Sequence, residues 1–261
     1  MDANLLEAEP LPGLVQLTLN RPASRNALDA ALIAALYAAI ERHGARPATR
    51  VVVIRANGSS FCAGADLAAM AALGRAPHAE NVADAQALAA MLLALYQCPK
   101  PTVAAVQGPA FGGGVGLAAA CDVAVGSEEA RFKLPEVRLG IVPAIISPYV
   151  IEAIGVRQAR RYFLSGEQMP AARARELGLL HEVVQGPALG GEVLRIASEL
   201  AAGGPLALAN CKQLIMEVAW CAPDQALARS LAERLATLRS GAEAQDGIEA
   251  TLRRRPPVWS P

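Results

Sequence analysis

The sequence has neither an excess of charge of one sign nor a long apolar run. Lys and Arg together number 24, Asp and Glu also number 24, and the formal net charge is zero. Nucleic-acid-binding surfaces usually need a basic excess, so we expect no nucleic-acid partner. No apolar run reaches the roughly 18 residues of a membrane-spanning helix, and the acidic first residues, 1–7, lack a cationic leader. These absences predict a cytoplasmic protein that does not cross a membrane.

Disulfide and metal signatures are missing as well. The cysteine count is odd, no C-x-x-C pair occurs, and the cysteines are scattered at positions 62, 98, 121, 211 and 221. This pattern predicts reduced thiols. Cys62 has no histidine near it in the sequence, so we interpret it as a small apolar side chain rather than a nucleophile. His43, His78 and His181 do not have the spacing of metal ligands, and we expect no metal site.

Strands alternate with helices over the first 140 residues, which predicts an α/β fold. The alternating run 14–20 and the apolar runs 51–54, 102–106 and 121–125 predict strands, and the run 179–184 later in the chain is also strand-like. The four-residue spacing from Leu28 to Ile40 predicts a helix capped by Ser24 or Asn26, and further helices are expected at 80–97 and 113–120. One large α/β domain, or a core with a small appendage, fits the chain length.

The last 120 or so residues have a helical pattern instead. Helices are predicted at 143–155, 156–164, 171–177, 191–202, 206–219 and 224–239. Gly203, Gly204 and Pro205 interrupt this pattern. We therefore divide the chain into a core over residues 1–200 and a C-terminal helical region over residues 201–261, where contacts between subunits are expected.

The most informative segment is the glycine-rich run from Gly108 to Leu117. A flexible turn or a close helix–strand contact would account for its three consecutive glycines, 112–114. The dinucleotide-binding pattern G-x-G-x-x-G fails, because its last position, counted from Gly112, is Leu117, and there is no Gly-Lys-Ser/Thr P-loop. The remaining functional hypothesis is that backbone N–H groups at a helix N-terminus bind negative charge.

A second loop of small residues, 61–67, also follows an apolar strand. Small residues let a ligand approach the backbone, and Asp66 is a candidate N-cap for the next helix. Two such loops facing one pocket would present a pair of N–H donors. Glu136, after Pro135, is a carboxylate that would lie beside them; an exposed acid at a strand–helix junction is the alternative interpretation.

These segments occur in the order typical of one enzyme superfamily. In chain order they are Asn20-Arg-Pro22 with Asn26-Ala-Leu28, then 61–67, 108–117, Cys121-Asp122, Phe132, Pro135-Glu136, Leu139-Gly140, Pro143 and 171–179. Over nearly its whole length the chain resembles the enoyl-CoA hydratase/isomerase (crotonase) superfamily. The resemblance implies a spiral of ββα turns and a C-terminal helical region that builds trimers, often paired into hexamers.

The resemblance implies catalytic roles for three positions. It places the oxyanion-hole donors on the N–H groups of Ala65 and Gly113, with the thioester oxygen of an acyl-CoA between them. Hydratases of the superfamily often use two glutamates. The first of these positions is Gly116 here, and the second is Glu136. Glu136 alone would then take a proton from water and return it to the α-carbon.

A narrower resemblance, at residues 138–150 and 160–163, is to bacterial 3-methylglutaconyl-CoA hydratases and relatives acting on isohexenylglutaconyl-CoA. These acyl groups carry a carboxylate, for which Arg138, Ser147 and Tyr149 are candidate partners. Residues 144–148 replace the usual glycine-rich segment after Pro143, and we expect them to reshape the acyl pocket.

For the CoA moiety, the resemblance implies contacts made largely by backbone atoms. The substrate-binding positions are Arg25, Ala27, Ala63, Asp66, Leu67, Gly112 and Pro135. No separate cofactor is expected, because coenzyme A is part of the substrate. The arginines 253–255 are candidate phosphate ligands, although arginines near a chain end are more often only solvated. Trp259 is expected either to pack or to be disordered.

Two other classes of function stay open at this level. Double-bond isomerisation would use the same oxyanion hole, with Glu136 carrying the proton, and so would other enolate chemistry on an acyl-CoA, such as retro-aldol cleavage, decarboxylation or dehalogenation. A non-catalytic oligomeric binding protein, for example one that binds RNA, is the alternative of a different class, and the neutral charge and the presence of Glu136 argue against it. The leading hypothesis is an enzyme that adds water to the α,β double bond of an acyl-CoA thioester.

Overall fold

The computed structural model describes residues 3–260 and contains two β-sheets. The strands are β1 (Leu5–Leu11), β2 (Leu14–Leu19), β3 (Val51–Ala56), β4 (Thr102–Val106), β5 (Ala110–Phe111), β6 (Val123–Ser127), β7 (Arg131–Lys133), β8 (Gln168–Pro170) and β9 (Glu182–Val184). The larger sheet has the order β1-β2-β3-β4-β6-β9, and the smaller has the order β5-β7-β8. In the larger sheet only β1 runs antiparallel to its neighbour.

The helices surround these sheets. They are α1 (Ala30–Ala45), α2 (Leu67–Leu73), α3 (His78–Tyr96), α4 (Gly113–Ala120), α5 (Ser147–Ser165), α6 (Ala171–Glu176), α7 (Leu189–Ala201), α8 (Pro205–Val218), α9 (Gln225–Ser240) and α10 (Ala242–Leu252). Helix α5 is interrupted at Gly155, whose φ of +73° is not helical, so two helices meet there as predicted. The mixed α/β class and the C-terminal helical region are confirmed.

Both faces of the larger sheet are buried, because alternate residues of its central strands enter different cores. Val52 and Ile54 of β3 join a core with residues of α1, α3, α4 and α5. Val51 and Val53 instead pack with residues of α7 on the opposite face. Parallel strands covered on both faces are apolar throughout, which is why these strands were recognisable in the sequence. Because β3 and β4 are parallel, the loops that follow them emerge at the same edge of the sheet.

One predicted helix cap is wrong, and one predicted strand begins two residues later than expected. Helix α1 is capped by Asp29, whose Oδ1 accepts a hydrogen bond from Leu32 N at 2.8 Å, and not by Ser24 or Asn26. The strand predicted at 121–125 begins only at Val123, because the preceding Asp122 is held by Thr102, which donates to its Oδ2 from both N and Oγ1. The other predicted strands and helices are found within a few residues of their expected bounds.

Five elements were not predicted at all. Strand β1 contains Pro10 and lies exposed at the sheet edge, where proline is tolerated. Strands β5, β7 and β8 have only two or three residues each, too few for a period to appear. Helix α10 contains Gly247, and this glycine accommodates the ring of Trp259: a Cβ there would lie 2.7 Å from the ring.

The helices after residue 200 lie at the surface, and α8 and α9 contain no fully buried residue. Lys212 connects α8 to the core, since its Nζ lies 2.7 Å from Asp122 Oδ2 and 3.1 Å from Lys100 O. The division of the chain near residue 200 and the role of this region in assembly stay predictions. Among residues 3–260, no helix is long and apolar enough to cross a membrane.

The C-terminal segment packs against the rest of the chain. Trp259 Nε1 donates to Ala202 O at 3.1 Å. Arg255 forms an ion pair with Asp246 at 2.6 Å, and Arg253 forms one with Glu249 at 2.7 Å. Two of the three arginines considered as phosphate ligands are therefore already neutralised within the chain.

Candidate active site

The loops that follow β3 and β4 meet directly. Phe111 N donates to Cys62 O at 2.8 Å. Gly64 approaches the second loop so closely that a Cβ on it would lie 2.8 Å from Phe111 O and 3.5 Å from Gly113 N. Its φ of +89° is in the left-handed region, so a side chain at position 64 would meet both strain and backbone. Glycine at this position is what allows the contact between the loops.

Two backbone N–H groups at this contact, those of Ala65 and Gly113, have no acceptor among the described residues. Leu28 N donates to Gly64 O at 2.7 Å, and Asp66 N donates to Leu28 O at 3.1 Å. Leu28 therefore pairs with the residues before and after Ala65 and leaves the Ala65 N–H without an acceptor. Gly113 is the first residue of α4, and first-turn N–H groups have no intrahelical acceptor. Because Gly64 lies against Gly113, the two free donors are neighbours.

Glu136 lies beside these donors. It begins a short 3-10 helix, Glu136–Leu139, and its Oε1 is 3.0 Å from the position that a Cβ on Gly112 would take. Its Oε2 is buried without a hydrogen-bond partner in the described part of the chain. Burial raises the pKa of the Glu136 carboxyl above its ordinary value, although a hydrogen bond with its own backbone acts in the opposite direction. The alternative of an exposed surface acid is therefore wrong.

Four of the seven positions expected to contact CoA lie on two paired segments, 25–28 and 63–66. Of the other three, Leu67 begins α2, Gly112 directly precedes α4, and Pro135 directly precedes Glu136. Arg25 O accepts from Ala63 N at 2.9 Å. Ala27 is buried, whereas Arg25 is exposed and Leu67 is 63% exposed. Asp66 caps α2 as predicted, its Oδ1 accepting from the N–H groups of residues 68 and 69. The Asp66 carboxylate is thus engaged within the chain, and contact of these positions with CoA stays a prediction.

Asn26 holds these segments in place, a role that the sequence did not suggest. It is completely buried. Its Oδ1 accepts from Arg21 N at 2.8 Å, and its Nδ2 donates to Asn57 O and Ser60 O, both at 2.9 Å. Arg21 in turn lies 2.9 Å from Asp29 Oδ2. The motif containing Asn26 was visible in the sequence, but its partners lie 31 and 34 residues away.

The three candidate partners for an acyl carboxylate differ in availability. Arg138 Nη2 donates to Ser165 O at 3.1 Å, and Ser147 Oγ donates to Ala144 O at 2.8 Å. Tyr149 packs on Tyr96 with ring centroids 5.3 Å apart, and its hydroxyl has no hydrogen bond to the described residues. Burial raises the pKa of Tyr149, which keeps its hydroxyl protonated. Of the three, Tyr149 is therefore the one whose polar group has no hydrogen bond to the described residues.

Cys62, His43 and His181 have structural environments that account for them. Burial raises the pKa of Cys62 to about 12, so its thiol is protonated at neutral pH. His43 contacts Glu7 at 2.8 Å, and His181 Nδ1 accepts from Ala124 N at 3.1 Å, so both have structural partners. Within residues 3–260, no cluster of three or more His, Cys, Asp or Glu residues forms a metal site.

A half-buried carboxylate with one unpartnered oxygen next to a pair of free N–H donors is an arrangement that can stabilise an oxyanion and transfer a proton beside it. The comparisons with known proteins agree. The family model described as enoyl-CoA hydratase/isomerase matches residues 11–261. The chain belongs to this family, within the crotonase superfamily, and is an enzyme of the enoyl-CoA hydratase type.

Individual relatives support the same assignment. The 2,3-dehydroadipyl-CoA hydratase of Escherichia coli is 39% identical over 244 residues, which cover 92% of each chain. The mevalonyl-coenzyme A hydratase sidH of Aspergillus fumigatus is 33% identical, and the match covers 97% of this chain and 93% of sidH. Among solved structures, an enoyl-CoA hydratase from Shewanella pealeana has a TM-score of 0.94 at 35% identity, covering 98% of this chain and 96% of that one. Pseudomonas aeruginosa AtuE has a TM-score of 0.93 at 35% identity, and the match covers 99% of this chain and 100% of AtuE.

Proposed function

We propose that this enzyme hydrates an enoyl-CoA with Glu136 as the proton carrier and with the N–H groups of Ala65 and Gly113 as the oxyanion hole. The observation that supports this most is the buried Glu136 Oε2, which has no partner in the described chain and lies beside two free donors. Donors of this kind stabilise the negative charge on the thioester oxygen, and loss of one typically costs about 10²–10³ in rate.

The reaction needs only one carboxylate in this scheme. Ionised Glu136 takes a proton from water as the oxygen of the water bonds to the β-carbon. The electron pair of the double bond moves onto the thioester oxygen and forms an enolate. Protonated Glu136 then gives the same proton to the α-carbon, and the carbonyl re-forms. The raised pKa of Glu136 brings its two protonation states closer in energy, as this double role requires.

The acyl group that we propose is branched or carboxylated, such as 3-methylglutaconyl. Tyr149 offers a hydroxyl for the carboxylate of the acyl group, and the relative named 2,3-dehydroadipyl-CoA hydratase is consistent with a carboxylated substrate. CoA would lie along the positions predicted from the sequence, with no separate cofactor. We also propose assembly into trimers or hexamers through the helices after residue 200, and a cytoplasmic location.

The experiment compares turnover of crotonyl-CoA and 3-methylglutaconyl-CoA by the native enzyme, Glu136→Gln and Glu41→Gln. Glu41 is exposed, so it serves as the matched control for loss of one carboxylate. We expect hydration of the branched acid to exceed that of crotonyl-CoA, and Glu136→Gln to lower turnover by about 10²–10⁴ while retaining acyl-CoA binding. Full activity of Glu136→Gln would remove Glu136 from the mechanism.

Isomerisation of the double bond is the second candidate, and the glycine at position 116 favours it. Moving a double bond requires one base that removes and returns a proton, whereas hydration also has to position a water molecule. Conversion of a 3-enoyl-CoA into the 2-enoyl isomer, without hydration of either substrate named above, would replace hydration by isomerisation as the function.

A further inference from the structure

The space beside Gly116 is already filled by another side chain. A Cβ at position 116 would lie 2.3 Å from Ile146 Cγ2, 2.9 Å from Ile146 Cβ and 3.5 Å from Leu92 Cδ1. The first two distances are shorter than carbon atoms can approach without displacement. Position 116 therefore accepts no side chain, and no second carboxylate, while Ile146 keeps its place.

Ile146 is close to the reacting region. Gly112 directly precedes α4, and Gly116 N donates to Gly112 O at 3.2 Å, so the two glycines lie about one helical turn apart along the chain of α4. Glu136 Oε1 lies against Gly112 and Ile146 lies against Gly116. Ile146 is only 3% exposed, and its carbonyl accepts from Val150 N at 3.1 Å in the first turn of α5. Its side chain is thus held against α4 at the turn that follows the glycine in contact with Glu136.

We infer that Ile146 is a specificity-determining residue: its branched side chain forms the apolar wall that limits the size of the acyl group beyond the reacting double bond. The inference rests on the proposed position of the acyl group between Glu136 and the two N–H donors. The same side chain explains why this enzyme has a single carboxylate at the site. Gly116 and Ile146 are consequently a matched pair, in which neither residue can be enlarged alone.

The first experiment measures the size limit by calorimetric binding of two saturated ligands, butanoyl-CoA and hexanoyl-CoA, which requires no turnover. Ile146→Ala removes three carbons, and we expect it to shift the affinity ratio toward hexanoyl-CoA by about tenfold or more, as extra pocket space for methylene groups does. Ile146→Val removes one carbon and should shift it only a few-fold. An unchanged ratio in Ile146→Ala would overturn the inference, because a residue that only packs in the core would weaken both ligands alike.

The second experiment tests the pairing itself through the thermal unfolding midpoint and the butanoyl-CoA affinity. Gly116→Ala should lower both. Adding Ile146→Leu, which keeps the carbon count but removes the Cγ2 branch, should recover part of both, because the 2.3 Å contact is lost and only the 2.9 Å contact to Cβ is left. Adding Ile146→Val, which keeps Cγ2, should recover neither. A native-like Gly116→Ala variant, or equal recovery by Leu and Val, would contradict the pairing. Because neither readout uses hydration, failure of the proposed function would be seen separately, as absent turnover with these binding results intact.

Discussion

Removal of the Asn26 side chain should destabilise the enzyme by about 2–3 kcal/mol. The side chain is fully buried and forms three hydrogen bonds, each worth about 1 kcal/mol net. In Asn26→Ala, Arg21 N and Asn57 O lose the partners described, whereas Ser60 O keeps Gln107 Nε2 at 3.1 Å. The φ of +55° at position 26 adds strain, since alanine tolerates the left-handed region less well than asparagine.

The assay is urea unfolding at neutral pH, with Asn81→Ala as the control. Asn81 is exposed and its Nδ2 makes one hydrogen bond, to Leu73 O at 3.2 Å, so its loss should cost less than about 0.5 kcal/mol. Turnover of Asn26→Ala should also fall, because Asn26 fixes the segment that pairs with the loop around Ala65. A loss below about 1 kcal/mol, or one equal to that of Asn81→Ala, would refute the role assigned to Asn26.

Three further predictions concern stability. Burial raises the pKa of Glu136 in the folded state, so the native enzyme loses stability as the pH rises from the unfolded-state pKa of this carboxyl through its folded-state pKa. Glu136→Gln should therefore unfold at a higher temperature than native enzyme at pH 8, and the two should unfold alike below the unfolded-state pKa. A lower midpoint for the variant at pH 8 would contradict this. Asp29→Ala should lower the free energy of unfolding in urea by at least about 1 kcal/mol, because it removes both the α1 cap and the ion pair with Arg21. Ser24→Ala should lower it clearly less, and equal losses would return Ser24 to consideration as the cap. Lys212→Met should lower the free energy of unfolding by about 2 kcal/mol. This is less than the roughly 3–5 kcal/mol expected for a fully buried ion pair, because the Asp122 side chain is 30% exposed. An unchanged urea midpoint would show that Lys212 does not anchor α8.

The sequence was sufficient to predict an element or a site residue where a local pattern of residues reflects its burial or its backbone contacts. Strand β4 is buried on both faces and is therefore apolar at nearly every position, and the glycines of α4 mark the backbone approach beside it. Glu136 was found through its place in a series of motifs, since a Pro-Glu pair alone does not indicate burial.

The rest depended on contacts between distant segments. Asn26 looked like a helix cap because its actual partners are Asn57 and Ser60, which no local pattern connects to it. The filling of the space at Gly116 by Ile146 depends on how α5 packs against α4, and a glycine in a sequence gives no sign of which side chain lies against it. Short strands such as β5 are held by pairing with β7 rather than by their own periodicity.

The most direct test of the mechanism follows exchange of the α-proton of butanoyl-CoA in D₂O by NMR. A saturated ligand cannot be hydrated, so exchange reports only enolate formation in the oxyanion hole and proton transfer by the base. We predict that native enzyme introduces deuterium at the α-carbon, and that Glu136→Gln does so at least about 100-fold more slowly while binding butanoyl-CoA as tightly. Exchange at the native rate in Glu136→Gln, or none in native enzyme that binds the ligand, would contradict it.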